Sequence, residues 1–309
     1  MRNINFVLVL IVFFCVVVGA TAARAQNALP DTPRHDLPPR KVIVGTTMTP
    51  WYSDYPGLDA RIAEMCGLID EMAADSIDRY GRPIDVALFA EYALTSGKPG
   101  SAMEIAIPVD EKIVDAFGEK ARQYNTYIVL NGIFLDDDTS GETSSNAAVV
   151  IDRSGKVMGR YAKVHPVLDD GPAGSAPVFE GGIQPGKMYN VFDCDFGRVG
   201  IQICYDVEFP EGWQRLGQLG TDLVLFPSQS PQTIRTGGYA ATQEYWVVSA
   251  TFRNNASFFE PGTGLIAAQI TGSERVLVEQ IDLSYLVLPW SSELRNGQAL
   301  TDAFGERVG

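Results

Sequence analysis

Histidine and cysteine are scarce in this 309-residue chain, which holds two of the first and four of the second. With only His35 and His165, a histidine-rich zinc site lacks ligands, and a Ser-His-Asp triad would rest on His165 alone. No C-x-x-C pair exists. Positive charge is short as well: 24 Lys and Arg against 38 Asp and Glu give a formal net charge of −14. So acidic a chain is repelled by phosphate backbones, which argues against nucleic acid as a partner. The same excess keeps a protein soluble and names no substrate. No run after residue 20 is long and apolar enough to span a bilayer, and no repeat or low-complexity segment interrupts the chain.

The one long apolar run, Phe6 to Ala20, follows Arg2 and precedes the small residues Thr21 to Ala25, a pattern that reads as a secretory signal peptide over residues 1–25. A membrane anchor needs about 20 apolar residues. Ala23-Arg24-Ala25 has the A-x-A form that signal peptidase cuts, so cleavage is expected before Gln26 and the protein is expected to be exported, to the periplasm or the medium, with no stable membrane anchor. Acylation at Cys15 is disfavoured by Phe14, which stands where a small residue is needed. Cleavage removes two arginines and no acid, taking the charge to −16, and leaves three cysteines, Cys66, Cys194 and Cys204. An odd count in an exported chain guarantees a thiol outside any intramolecular disulfide.

Pro30, Pro33, Pro38 and Pro39 make residues 26–40 an extended leader, and the folded domain is expected over 41–283, with a tail from 284 to 309. Lys41 to Met48 reads as a strand. Leu58, Ile62, Met65, Ile69 and Met72 then recur at helical spacing, predicting a helix over 58–79 with Cys66 beside its buried face as a packed thiol. A strand from Asp85 to Ala90, a helix over 110–123 and a strand from Thr126 to Phe134 continue a layered α/β pattern. Two more strands, about 146–152 and 156–163, flank a turn at Arg153-Ser154-Gly155. An irregular loop over 171–186 precedes strands near 189–193 and 199–204, a helix at 208–218, and strands near 224–226, 247–251, 264–270 and 276–281. Gly262-Thr263-Gly264 reads as a turn, and Asn255-Ala256-Ser257, formally a glycosylation acceptor, is assigned no role.

Three reactive side chains fall where these strands end: Glu91, Lys163 and Cys204. Strand ends are where α/β sites collect, because the sheet fixes the backbone while the loops beyond it shape a pocket. Cys204 is expected at a strand-to-helix junction whose N–H groups, chiefly that of Tyr205, lower the thiol pKa from about 8.5 and donate to an oxyanion.

The segments Phe89-Ala90-Glu91-Tyr92, Tyr161-Ala162-Lys163-Val164-His165-Pro166 and Gly200 to Glu211 (GIQICYDVEFPE) resemble, in order and spacing, the three catalytic motifs of the nitrilase superfamily of carbon-nitrogen hydrolases. Phe179 to Gly186 resembles the loop carrying that family's second glutamate, Glu180, although Asp169 or Asp170 is an alternative for that position. Ala90 stands where the family usually has proline, and Pro166 where leucine is frequent. The resemblance implies a four-layer α-β-β-α sandwich, no metal or organic cofactor, and a homodimer or higher homo-oligomer, with the tail packing across the interface. Cys204 would be the nucleophile, Glu91 the general base, Lys163 with the Tyr205 N–H the oxyanion holder, and Glu180 the residue that positions Lys163. Cys-Tyr-Asp at 204–206 is more similar to the amidase and carbamoylase branches than to true nitrilases, so a small amide or carbamoyl substrate is expected. The rival readings are nitrile hydrolysis or acyl transfer at the same site, a Cys204–His165 dyad, and a non-catalytic binding protein.

Overall fold

A computed structural model of the protein describes residues 40–52, 54–136, 143–170, 176–284, 292, 295 and 297–305. The expected signal peptide, all but the last residue of the expected leader, and residues 285–291 of the tail, with Leu286, Leu288 and Trp290, lie outside the described residues.

Two six-stranded sheets face each other. The first comprises β1 (Lys41–Thr47), β2 (Val86–Leu88), β3 (Tyr127–Leu135), β4 (Ser144–Ile151), β5 (Val157–Ala162) and β14 (Val276–Asp282), in the order β14-β1-β2-β3-β4-β5. The second comprises β8 (Val191–Cys194), β9 (Gly197–Ile201), β10 (Leu223–Pro227), β11 (Trp246–Ala250), β12 (Ala256–Phe259) and β13 (Ile266–Ile270), in the order β13-β12-β11-β10-β9-β8. Helices α1 (Leu58–Tyr80) and α3 (Glu111–Tyr124) cover the outer face of the first sheet. Helices α4 (Pro210–Gln218) and α5 (Thr233–Gln243) cover that of the second. The fold is an α-β-β-α sandwich, as the sequence motifs imply.

Side-chain alternation along the strands builds these layers. Leu223 and Leu225 of β10 point into the core between the sheets, whereas Val224 and Phe226 pack with Trp213 and Leu216 of α4. On β1 both faces are buried, and Gly45 lets α1 approach closely: a Cβ there would sit 2.6 Å from Met72 Sδ. Helix α1 buries Ile62, Met65, Leu68, Ile69 and Met72 and stops at Gly81, whose left-handed backbone (φ 73°) donates its N–H to Ile77. Asp110 caps α3 by accepting from the Ile113 N–H.

Strands β1, β2 and β3 run parallel, as do β9, β10 and β11. Beyond β1 and β11 a parallel bridge joins Met48 to Thr251, with Thr49 N donating to Thr251 O and Thr251 N to Thr47 O. The C-terminal ends of both parallel sets therefore meet at one edge of the sandwich. Chains leaving β2, β9 and β10 converge there, and β5, two antiparallel steps from β3, exits at the same edge.

Several elements differ from the sequence expectation. Helix α5 was not foreseen, because its sequence TIRTGGYAATQ carries β-branched residues and adjacent glycines, which are weak helix formers. Strand β12 is only four residues long, and its Ser257 is buried in the Asn255-Ala256-Ser257 triplet, where Asn255 Oδ1 accepts from Ser257 Oγ. The loop expected over 171–186 contains β7 (Val178–Phe179), which pairs with β6 (Leu168–Asp169). Short helices α2 (Ala102–Ile105) and α6 (Gln298–Phe304) complete the elements. No helix among the described residues is long and apolar enough to cross a membrane.

Candidate active site

Glu91 follows β2 on a tight turn that other elements hold. Asn131 of β3 accepts the Tyr92 N–H on its side chain and the Leu94 N–H on its carbonyl, and buried Arg61 of α1 donates to Ala93 O at 3.1 Å. Lys163 follows β5, its backbone N–H donating to Asn146 O of β4. Cys204 was expected to end a strand, but β9 stops at Ile201 and a 3₁₀ turn spans Cys204–Glu208. The buried carboxylate of Asp206 is the reason. Its Oδ2 accepts from the Ile203 N–H at 3.0 Å and its own N–H donates to Ile203 O, so the local loop takes the groups that a strand would pair.

These residues close on one cleft of about 420 Å³, whose walls include Glu91, Tyr92, Lys163, Glu180 and Cys204. Lys163 is 1% exposed and its Nζ donates to Glu91 Oε1 at 2.8 Å and to Glu180 Oε1. Burial works against its charge, but the carboxylates of Glu91 and Glu180 outweigh that cost and hold the ammonium above the ordinary lysine range. Glu180, not Asp169 or Asp170, reaches Lys163. Its Oε1 also accepts the Val167 N–H, and its Oε2 accepts from the Tyr92 hydroxyl and from Asn146 Nδ2. The Tyr92 phenol is kept protonated by burial and by the flanking carboxylates.

The thiol contradicts its expected acidity. Burial, and next the negative charge of Glu91, push the Cys204 pKa up to about 12, while Lys163 and the Ser228 hydroxyl pull it down. The helix that was expected to depress it begins only at Pro210. Cys204 therefore rests as a neutral thiol beside a carboxylate. Glu91 Oε2 is buried and has no hydrogen-bond partner among the described residues, while Oε1 takes both Lys163 and Asn146. Tyr92, Glu180 and Cys204 all have left-handed backbone, with φ of 60°, 40° and 44°. That geometry costs a non-glycine residue about 1–2 kcal/mol. No backbone carbonyl among the described residues accepts the Tyr205 N–H beside the thiol, whereas the next N–H, of Asp206, is taken by Ile203.

A profile of the carbon-nitrogen hydrolase family matches residues 48–288. The chain belongs to that family. It is 27% identical over 194 residues to the nitrilase and fragile histidine triad fusion protein NitFhit of Caenorhabditis elegans, a stretch covering 62% of this chain and 41% of that protein. It is also 27% identical over 194 residues to the deaminated glutathione amidase of Dictyostelium discoideum, covering 61% of this chain and 62% of the relative. The match thus spans about half the length of these relatives. The crystal structure of C. elegans NitFhit superposes with a TM-score of 0.67 at 20% identity, over 86% of this chain and 65% of the other, a likeness of fold. Within the nitrilase superfamily the chain sits with amidase-like members.

In this carbon-nitrogen hydrolase His165 is occupied elsewhere. Nδ1 lies 3.2 Å from Asp206 Oδ1, Nε2 lies 3.2 Å from Glu211, and the ring stacks on Phe209 at 3.9 Å. A dyad with Cys204 would require one of these nitrogens to give up its carboxylate for the sulfur. Cys66 is half-buried against the main core, and burial raises its thiol to about 11.

The sequence reading missed Asn146, Ser228 and the carboxylate of Asp206, which joins Tyr161 Oη (2.8 Å) and the His165 N–H (2.8 Å) to the turn that carries Cys204. Asn146 was discoverable in principle, because it faces Lys163 across the β4–β5 hairpin. Counted from the turn alone, however, residue 163 falls opposite 145. A register shift at Val150/Ile151 moves it opposite 146.

Proposed function

We propose that the protein is an exported hydrolase that cleaves amide or N-carbamoyl carbon-nitrogen bonds through a Cys204 thioester. The observation that supports this most is the convergence of Glu91, Lys163 and Cys204 from three different strand ends on one cleft. Glu91 Oε2 takes the thiol proton as sulfur attacks the carbonyl carbon, so the thiolate forms only as it is consumed. The developing oxyanion is met by the Lys163 ammonium and the Tyr205 N–H. Glu91 passes the proton to the departing amine, the carbon-nitrogen bond breaks and a thioester remains. Water then gives a proton to Glu91 and its oxygen to the acyl carbon, and the thiol leaves reprotonated. Glu180 holds Lys163 in place.

The test is ammonia release from a panel of small amides, carbamoyl amino acids and nitriles, with intact-mass detection of the acyl adduct. Release and adduct are both expected to vanish in Cys204→Ala, and turnover surviving that change would sink the mechanism. The apolar run from Phe6 to Ala20 supports export. Protein recovered outside the cytoplasm is expected to begin at Gln26, and retention of residues 1–25 would refute it.

A further inference from the structure

One buried group beside the sulfur has no part in the chemistry above. Strands β9 and β10 run parallel with Ile201 opposite Leu225, and just past that pair the Gln202 N–H still donates to Leu225 O at 3.2 Å. Cys204 and Ser228 lie the same number of residues beyond it, so one strand end delivers the thiol and its neighbour a hydroxyl. Ser228 is fully buried, and its N–H donates to Ala250 O of β11 at 2.9 Å, which fixes its backbone from the other side. The next residue, Gln229, lines the cleft with Cys204. A serine hydroxyl has one proton to give. The Ser228 oxygen accepts the Ser230 N–H at 3.2 Å, which leaves that proton to donate to Cys204, and this contact draws the thiol pKa down against burial and Glu91.

We propose that Ser228 is a further catalytic residue, whose hydroxyl donates to Cys204 Sγ and shares the negative charge of the sulfur as it attacks. This rests on the hydrolase reading given above. As Glu91 Oε2 takes the thiol proton, the electron pair of the S–H bond stays on sulfur and becomes the new carbon–sulfur bond, while Ser228 keeps its own proton throughout. Sulfur carries charge only while its bond to carbon forms or breaks. Once that bond has formed, the hydroxyl contributes little to breaking the carbon-nitrogen bond. Ser228 therefore matters most where attack limits the rate, with a good leaving group, and least where loss of a poorly leaving amine does.

The experiment compares the parent with Ser228→Ala and Ser228→Thr in alkylation of Cys204 by iodoacetamide, in the burst of p-nitrophenol from p-nitrophenyl acetate, and in ammonia release from an amide that the parent turns over. A hydrogen bond to a charged group is worth about 10- to 100-fold in thiolate population, and the weaker acid regains roughly half of that exponent as nucleophilicity, so alkylation is expected to slow about 3- to 10-fold in Ser228→Ala. The burst is expected to slow with it, and ammonia release to change far less. Ser228→Thr keeps the hydroxyl and is expected to keep the parental rates. Alkylation or a burst at the parental rate in Ser228→Ala overturns the proposal, as does a threonine variant as slow as the alanine one. Ammonia release that slows as much as the burst also overturns it, because a displaced loop would slow both alike. A parent whose alkylation and burst depend on Ser228 but which releases no ammonia from any amide faults the hydrolase reading alone. A parent that releases ammonia, with alkylation unchanged in Ser228→Ala, faults Ser228 alone.

Discussion

Asn146 Nδ2 stands 2.8 Å from Glu91 Oε1, and the same nitrogen lies 3.1 Å from Glu180 Oε2. A fully buried amide thus ties together the two carboxylates that flank Lys163. Because Oε1 of Glu91 is occupied by Asn146 and Lys163, the carboxylate is held with Oε2 free, the oxygen that would take the thiol proton in the proposed mechanism.

Asn146→Ala is expected to lower kcat by about 10- to 100-fold with little change in KM, since a buried partner left unsatisfied costs about 1–3 kcal/mol. Asn146→Asp, nearly the same shape, is expected to be worse, because it adds a third carboxylate beside the other two. Steady-state kinetics on an amide that the parent turns over checks both. Equal activity of Asp and Asn at this position would show that the bridge has no part in positioning Glu91.

The resting thiol should behave as a weak acid. With its pKa pushed up to about 12, the alkylation rate of Cys204 by iodoacetamide is expected to be still climbing above about pH 9, where a free thiol near about 8.5 has largely titrated. Glu91→Gln removes a negative neighbour, so the thiol is expected to titrate at lower pH while turnover falls about 10²- to 10⁴-fold. Greater sulfur acidity alongside lost catalysis would separate the base from the nucleophile. A thiol already ionised at neutral pH in the parent would contradict this picture.

Asp206→Asn is expected to destabilise the fold by about 2–3 kcal/mol, read by urea denaturation. The carboxylate accepts from Tyr161, from the Ile203 N–H and from the His165 N–H, and an amide must turn a donor toward one of them. An unchanged denaturation midpoint would show that the loop before Cys204 is held by other means.

His165 predicts a pH dependence of stability. The hydrogen bond to Asp206, against some burial and with help from Glu211, raises its pKa above the ordinary histidine value. A raised folded-state value means that the stabilisation is complete below about pH 6.5, the unfolded value, and is lost as pH rises through the folded one. Thermal melts across that window are expected to show the decline in the parent and to lose it in His165→Gln. The same variant is expected to keep its catalytic activity, whereas a Cys204–His165 dyad requires its loss.

Periodicity and local chemistry made much of this protein legible. The apolar spacing from Leu58 to Met72 specified α1, because a helix face is a property of neighbouring residues, and the helix expected over 110–123 is α3. Three short motifs were enough to nominate Glu91, Lys163 and Cys204 and the sandwich they belong to. Beyond reach were features that depend on distance across the fold. The Asn146–Lys163 pairing depends on a bulge, the Ser228 contact on a parallel neighbour strand, and the acidity of Cys204 on burial that sets in only when two sheets close over it. By itself the sequence nominated Glu91, Lys163 and Cys204 and the strands they follow, since both are written in local pattern. Only the tertiary structure decided which carboxylate reaches Lys163, which oxygen of Glu91 stays free and how the thiol is protonated. Those outcomes follow from the packing and electrostatics of side chains that are distant in the chain.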